Sequence, residues 1–157
     1  MSLPQDTPPI RYLDDMKVGL RFTGESRVVQ EREIIAFARQ FDPQPFHIDA
    51  GLASQTLFGG LIASGWHTAA MTMRLLLDAF PIGNGTIGLG GEAAWPNPVR
   101  ANDTLHIEGE VTAVAPSRSY DDRGIVTVCT ETKNQNGEVV QTLTANLLVF
   151  RRKSNSV

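Results

Sequence analysis

Asp42 and His47 have the types and the spacing to move protons, in the run Asp42-Pro43-Gln44-Pro45-Phe46-His47. Pro43 and Pro45 restrict the backbone on either side of Gln44, so little entropy remains to be lost when both side chains are aimed at one point. A carboxyl and an imidazole that converge on one atom can remove a proton from it and return one, which is general acid/base chemistry. The same spacing also occurs where an aspartate merely ends a helix and a histidine packs half-buried, so spacing alone does not choose between the two. Ser64-Gly65 adds a second feature at the start of a helix. The first backbone N–H groups of a helix have no internal acceptor and lie at the positive end of its dipole. A glycine there lets a carbonyl oxygen approach the backbone and accept from it, which stabilises charge developing on that oxygen. Taken alone, the pair reads as a tight helix start.

The elements that must hold these residues follow from hydrophobic period. Ile34, Ile35, Phe37, Ala38 and Phe41 recur at helical spacing, so residues 30–41 form an amphipathic helix that Pro43 ends. The stretch 42–49 is then a stiff turn, and Asp49 caps the short helix after it. Ser64 is the N-cap of a second helix from Gly65 to about Phe80, stopped by Pro81 and Gly83. Apart from Arg74 and Asp78, that helix is apolar or small nearly all round, so protein should enclose it on most sides. The remainder reads as strands: Leu20 to Val29, Thr86 to Trp95, the alternating run from Leu105, Ile125 to Lys133, and Val139 to Arg151. Asn136-Gly137 marks a turn between the last two. About five strands with mostly hairpin-length connections imply a largely antiparallel sheet, which must bury the one long apolar helix.

Composition narrows the classes. At 157 residues, with 41% apolar and 20% charged residues, the chain suits one globular domain and is too apolar for intrinsic disorder. Residues 1–19 read as an N-terminal arm and irregular entry, 20–151 as the domain, and 152–157 as a polar tail. A net charge of -3 with scattered basic residues lacks the stripe that binds nucleic acid. A single cysteine, Cys129, fits a reducing compartment and reads as an inert buried strand thiol. The opening residues lack a signal-peptide pattern, and the run from Met71 to Phe80 is far short of the roughly 20 residues that span a bilayer. The expectation is a cytoplasmic protein without a membrane segment.

The combination resembles the MaoC-like dehydratases, which include the R-specific enoyl-CoA hydratases. Their signature is Gly-Asp-x-Asn-Pro-aliphatic-His followed by a His-Gly or similar pair opening a central helix. Here Phe41-Asp42-Pro43-Gln44-Pro45-Phe46-His47 and then Ser64-Gly65 stand in those places, with the aspartate, second proline and histidine matching. Trp95-Pro96-Asn97-Pro98-Val99-Arg100-Ala101-Asn102-Asp103-Thr104-Leu105 looks like the family's segment leading into the next long strand, and the resemblance covers roughly Leu20 to Phe150. It implies an α+β hotdog domain, an antiparallel sheet wrapped around a long central helix, assembled as homodimers or higher oligomers with sheets joined edge to edge. It implies reversible hydration of trans-2-enoyl-CoA to 3-hydroxyacyl-CoA, with Asp42 and His47 as the acid/base pair and the Gly65 amide as oxyanion donor. Ser64, Gln44, Phe46 and Trp66 would line the substrate site. No cofactor is implied beyond the coenzyme A of an acyl-CoA substrate.

Gln44, Phe46, Phe41 and Ser64 depart from the usual Asn, aliphatic, Gly and His. Met73 occupies the place of a helix serine found in well-known hydratases, so its hydrogen bond is either missing or supplied by another group such as Thr68 or Thr72. Phe46, Phe58 and Trp66 are placed to narrow the pocket. Two other readings stand beside the hydratase: a hotdog thioesterase, for which the only carboxylate on the helix is Asp78 near its far end, and a non-catalytic acyl-CoA-binding domain. His67 reads as a packed or rim histidine, His106 as solvated, and Arg151 and Arg152 as a solvated tail. The three histidines form no zinc-spaced cluster and no glycine-rich phosphate loop follows a strand, so neither metal nor nucleotide is expected.

Overall fold

The computed structural model describes residues 7–154. The first six residues of the expected arm and residues 155–157 of the expected tail lie outside them. The helices are α1 (Glu31–Phe41), α2 (Pro45–Ile48), α3 (Ala50–Ala53) and α4 (Gly65–Ala79), and the strands β1 (Arg21–Thr23), β2 (Arg27–Val28), β3 (Ile87–Ala94), β4 (Thr104–Pro116), β5 (Arg123–Lys133) and β6 (Val139–Phe150). One sheet runs in the order β1-β4-β5-β6-β3, with β2 also paired to β4. Every pairing in it is antiparallel.

Period-2 alternation puts Leu105, Ile107 and Val111 of β4, Val126 and Val128 of β5, and Leu147 and Val149 of β6 on one buried face. They form a single core with Met71, Leu75, Leu76 and Ala79 of α4. The sheet thus closes over the long helix, which is the hotdog arrangement. No helix among the described residues is long and apolar enough to cross a membrane.

Four local features differ from expectation. The run Leu20 to Val29 is two strands, because the chain leaves the sheet at Gly24. An added Cβ there would sit 2.8 Å from Cβ of Ala79 on α4. The stretch 42–49 is more than a turn, since α2 forms within it. Cys129 is only half-buried, on the outer sheet face beside Thr144 Oγ1 at 3.5 Å. Arg151 and Arg152 are held rather than frayed. Arg151 Nη1 lies 3.1 Å from Asp14, Arg152 Nη2 lies 2.8 Å from Asp15, and the Arg152 guanidinium stacks over Tyr12.

Candidate active site

Each side chain of the site is set by how its element ends. α1 buries Ile34 and Ala38 against the core, and the Asp42 N–H donates to Ala38 at 2.8 Å as the last helical bond. Asp42 itself leaves the helical region (φ -152°, ψ 66°) because Pro43 follows. The Gln44 N–H closes a turn onto the Asp42 carbonyl at 2.8 Å. Pro45 then opens α2, where its fixed φ suits the first helical position and its missing N–H costs nothing. One short turn of helix carries His47 back toward Asp42.

His47 is 5% exposed, with ring Nδ1 donating to the Ile62 carbonyl at 2.7 Å. That carbonyl only accepts, so Nδ1 carries a hydrogen and Nε2 is the nitrogen left for chemistry. Nε2 faces Asp42 Oδ2 at 3.3 Å. The segment supplying Ile62 is itself tied down, by Ile62 N–H to the Phe46 carbonyl (3.0 Å) and Ala63 N–H to the Val99 carbonyl (2.8 Å).

Both carboxylate oxygens of Asp42 are engaged. Ser64 Oγ donates to Oδ2 at 2.7 Å and Gln44 Nε2 to Oδ1 at 2.7 Å. The Ser64 bond first, then that of Gln44, hold the Asp42 carboxyl below its ordinary value, with a smaller contribution from His47 and against the effect of partial burial. Thr68 and Thr72, the candidate substitutes for the absent helix serine, are bonded elsewhere. Thr68 Oγ1 donates back to the Ser64 carbonyl and Thr72 pairs with Thr132.

Ser64 also accepts from the Trp66 N–H at 3.2 Å, which makes it the N-cap of α4 as expected. As the first residue of α4, Gly65 has no acceptor within the helix for its N–H, which lies at the positive end of the dipole and is not taken by the cap. Cap and carboxylate share one hydroxyl, so Asp42, His47 and the mouth of α4 form one connected unit.

The remaining residues expected at the site fall into two groups. Phe46 packs edge-on to His47 at 4.6 Å and against Phe58 at 5.2 Å, so it braces the imidazole. Trp66 is 67% exposed and meets Trp95 edge to face, pointing off the helix. Ser64 is fully buried behind the carboxylate. His67 is packed, stacking on Phe37 at 4.8 Å. Asp78 lies at the far end of α4, exposed and 3.0 Å from Arg74. Sequence reading missed two participants. The Ile62 carbonyl leaves no trace in residue type, whereas Trp95, whose ring lies against Gly65, was visible in the Trp95-Pro96 segment. No group of three or more His, Cys, Asp or Glu side chains is arranged to hold a metal ion among the described residues.

A hotdog domain with a carboxylate and an imidazole facing each other beside the start of its central helix defines the class. The chain belongs to the family of the MaoC like domain, whose model matches residues 17–136. It is 36% identical over 126 residues to the uncharacterized protein YdeM of Bacillus subtilis, covering 78% of this chain and 87% of that one. It is 28% identical over 110 residues to the 3-hydroxybutyryl-CoA dehydratase of Methylorubrum extorquens, 69% of each chain. Among solved structures, the MaoC-like dehydratase from Rhodospirillum rubrum is similar with a TM-score of 0.89 and 53% identity, over 92% of this chain and 99% of that one.

Proposed function

We propose that this protein is a hydro-lyase that interconverts trans-2-enoyl-CoA and 3-hydroxyacyl-CoA. The observation that carries the reading is the 3.3 Å approach of His47 Nε2 to Asp42 Oδ2, with Ser64 joining that oxygen to the first turn of α4. The thioester carbonyl accepts from the Gly65 N–H, which draws electron density from C3. A water held between Asp42 and His47 adds its oxygen to C3 as the pair takes one proton, and a proton returns to C2. Dehydration is the same path reversed. The pair shares its protons, so acid and base are roles of the dyad in each direction rather than of one member.

This chemistry needs no cofactor beyond the coenzyme A of the substrate. The named 3-hydroxybutyryl-CoA dehydratase relative supports the reaction class. The proposal extends to a cytoplasmic location and to a homodimer, the latter in line with Trp66, Met73 and Leu77, which α4 leaves exposed. The thioesterase reading is weaker, because Asp78 is an exposed partner of Arg74 rather than a group aimed at a carbonyl.

The test is loss of enoyl absorbance in purified wild type, Asp42→Asn and His47→Gln, with free thiol followed in parallel. Each substitution is expected to lower kcat by about 10² to 10⁴ while the melting transition stays cooperative. Equal turnover in all three, or coenzyme A release in place of hydration, overturns the assignment.

A further inference from the structure

The inner wall of the domain carries polar side chains that the acid/base chemistry does not use. Thr68, Thr72, Thr130, Thr132 and Gln141 lie between α4 and the sheet, each 3% exposed or less. Such groups are retained in a core when they are bonded. Thr72 and Thr132 meet across the interface at 2.7 Å. One hydroxyl donates in that pair and the other keeps its own hydrogen to offer.

Gln141 is the exception. Its Oε1 accepts from the Trp95 indole N–H at 2.8 Å. An indole nitrogen only donates, so the amide orientation is fixed, with oxygen toward Trp95 and the NH₂ turned away from it. Among the described residues that buried Nε2 has no hydrogen-bond partner.

Two observations connect this donor to the catalytic end of α4. Trp95 lies across Gly65 so closely that a Cβ there would come 3.0 Å from Cδ2 and Cε2 of the indole, and Cε2 is bonded to Nε1. One indole ring therefore separates the Gly65 backbone from the Gln141 amide. The second is a bulge. Thr132 pairs with Gln141 but Lys133 pairs with Val139, so Val140 is an extra residue in β6. As a result the consecutive residues Val140 and Gln141 are both buried, 0% and 1% exposed, where a regular strand would turn one of them out.

We propose that Gln141, with the Thr72 and Thr132 hydroxyls, determines specificity by recognising a neutral oxygen, as ketone, hydroxyl or ether, on a short acyl chain. This rests on the hydratase reading above and names its substrate class. A hydrocarbon chain leaves the Gln141 NH₂ unpaired, whereas an oxygen acceptor satisfies it, and sites built to bond such a group reject analogues lacking it. A carboxylate fits less well, because every group named on this wall is neutral and nothing there offsets a buried anion. The chain is short because only the width of an indole separates the two ends.

Hexanoyl-CoA and 5-oxohexanoyl-CoA are saturated and cannot be hydrated, so calorimetric titration of the wild-type protein reads recognition without turnover. The oxo ligand is expected to bind tighter by about tenfold, and Gln141→Leu to remove the difference. Trp95→Phe, which frees the amide, is expected to shrink it. Equal affinities in wild type overturn the proposal whether or not either variant folds. A preference that survives in folded Gln141→Leu, tighter binding of adipoyl-CoA than of the oxo ligand, or no binding of either ligand also overturns it. Hydration of hex-2-enoyl-CoA and 5-oxohex-2-enoyl-CoA is measured on the same samples. Selective binding without hydration of either sinks the hydratase reading and leaves the recognition standing, while hydration without selectivity does the reverse.

Discussion

One hydroxyl in this protein, that of Ser64, both caps a helix and orients a carboxylate. Ser64→Ala therefore has two separable consequences. Loss of the cap should cost about 1 kcal/mol of stability, read from denaturant unfolding. Loss of the donor that most lowers the Asp42 pKa should raise it toward the ordinary value of 3.8, so the acid limb of the kcat/KM profile moves to higher pH. The stability that Asp42 contributes through its depressed pKa is fully present above 3.8 and is lost as pH falls through the folded-state value, so the alanine variant should lose less in that window. An unmoved acid limb would mean that the Ser64 bond does not tune Asp42. At this scale the sequence was legible where chemistry is written in side chains. The convergence of Asp42 and His47 was legible because prolines stiffen the link between them, while their role as a pair was suggested only by the wider motif. The Ile62 carbonyl that selects the His47 tautomer was not, since every residue has a carbonyl and only packing decides which one faces a ring.

Among the elements, α4 carries two distinguishable predictions. At Gly65 a methyl group would come within 3.0 Å of the Trp95 ring. If Gly65 only starts the helix, Gly65→Ala should displace that ring slightly, lower the melting temperature at most modestly and leave the rate alone. If its amide receives the thioester oxygen, kcat/KM should fall by roughly ten- to a hundredfold without loss of fold. The second concerns His67, whose pKa is lowered chiefly by burial and secondarily by Arg27, against an opposing effect of Glu33. A base with a lowered folded-state pKa favours the fold when neutral, so its contribution is complete above about 6.5 and is lost as pH falls through the lower folded value. His67→Phe keeps the stack on Phe37 and cannot titrate, so melting temperatures measured across this range should decline less with acidity than in wild type. The period of each long element could be read directly from the sequence, and the two short strands show where that reading stops. Residues 20–29 read as one strand, but Gly24-Glu25-Ser26 interrupt it between β1 and β2, where Gly24 passes close to Ala79 of α4. The bulge at Val140 was equally hidden, because Val-Gln-Thr has the composition of a regular strand.

For the whole molecule, the mismatch between the expected and observed surroundings of α4 points to an assembly. The sequence reading has the helix enclosed on most sides, yet Trp66, Met73 and Leu77 are 67%, 41% and 43% exposed. At seven and then four residues apart they form one line along the helix. In addition, among the described residues β3 pairs only with β6 and leaves its other edge open, with Leu89 53% exposed at a bulge between Gly88 and Gly90. An open strand edge and an apolar helix stripe are both surfaces that folded proteins cover. A second copy of the chain meeting edge to edge, as proposed above, would cover both and would also reach Trp66, which leans on the Trp95 ring against Gly65. Wild type should therefore sediment as a dimer at micromolar concentration. The double variant Met73→Glu with Leu89→Glu should shift it to monomer, because a stable interface of about 1,600 Å² does not tolerate unpaired like charges. Since dimerisation would cover the indole that packs on Gly65, hydratase activity should fall together with the dimer fraction as the protein is diluted. A wild type that remains monomeric at high concentration, or a double variant that remains dimeric, would show that this face is not the interface.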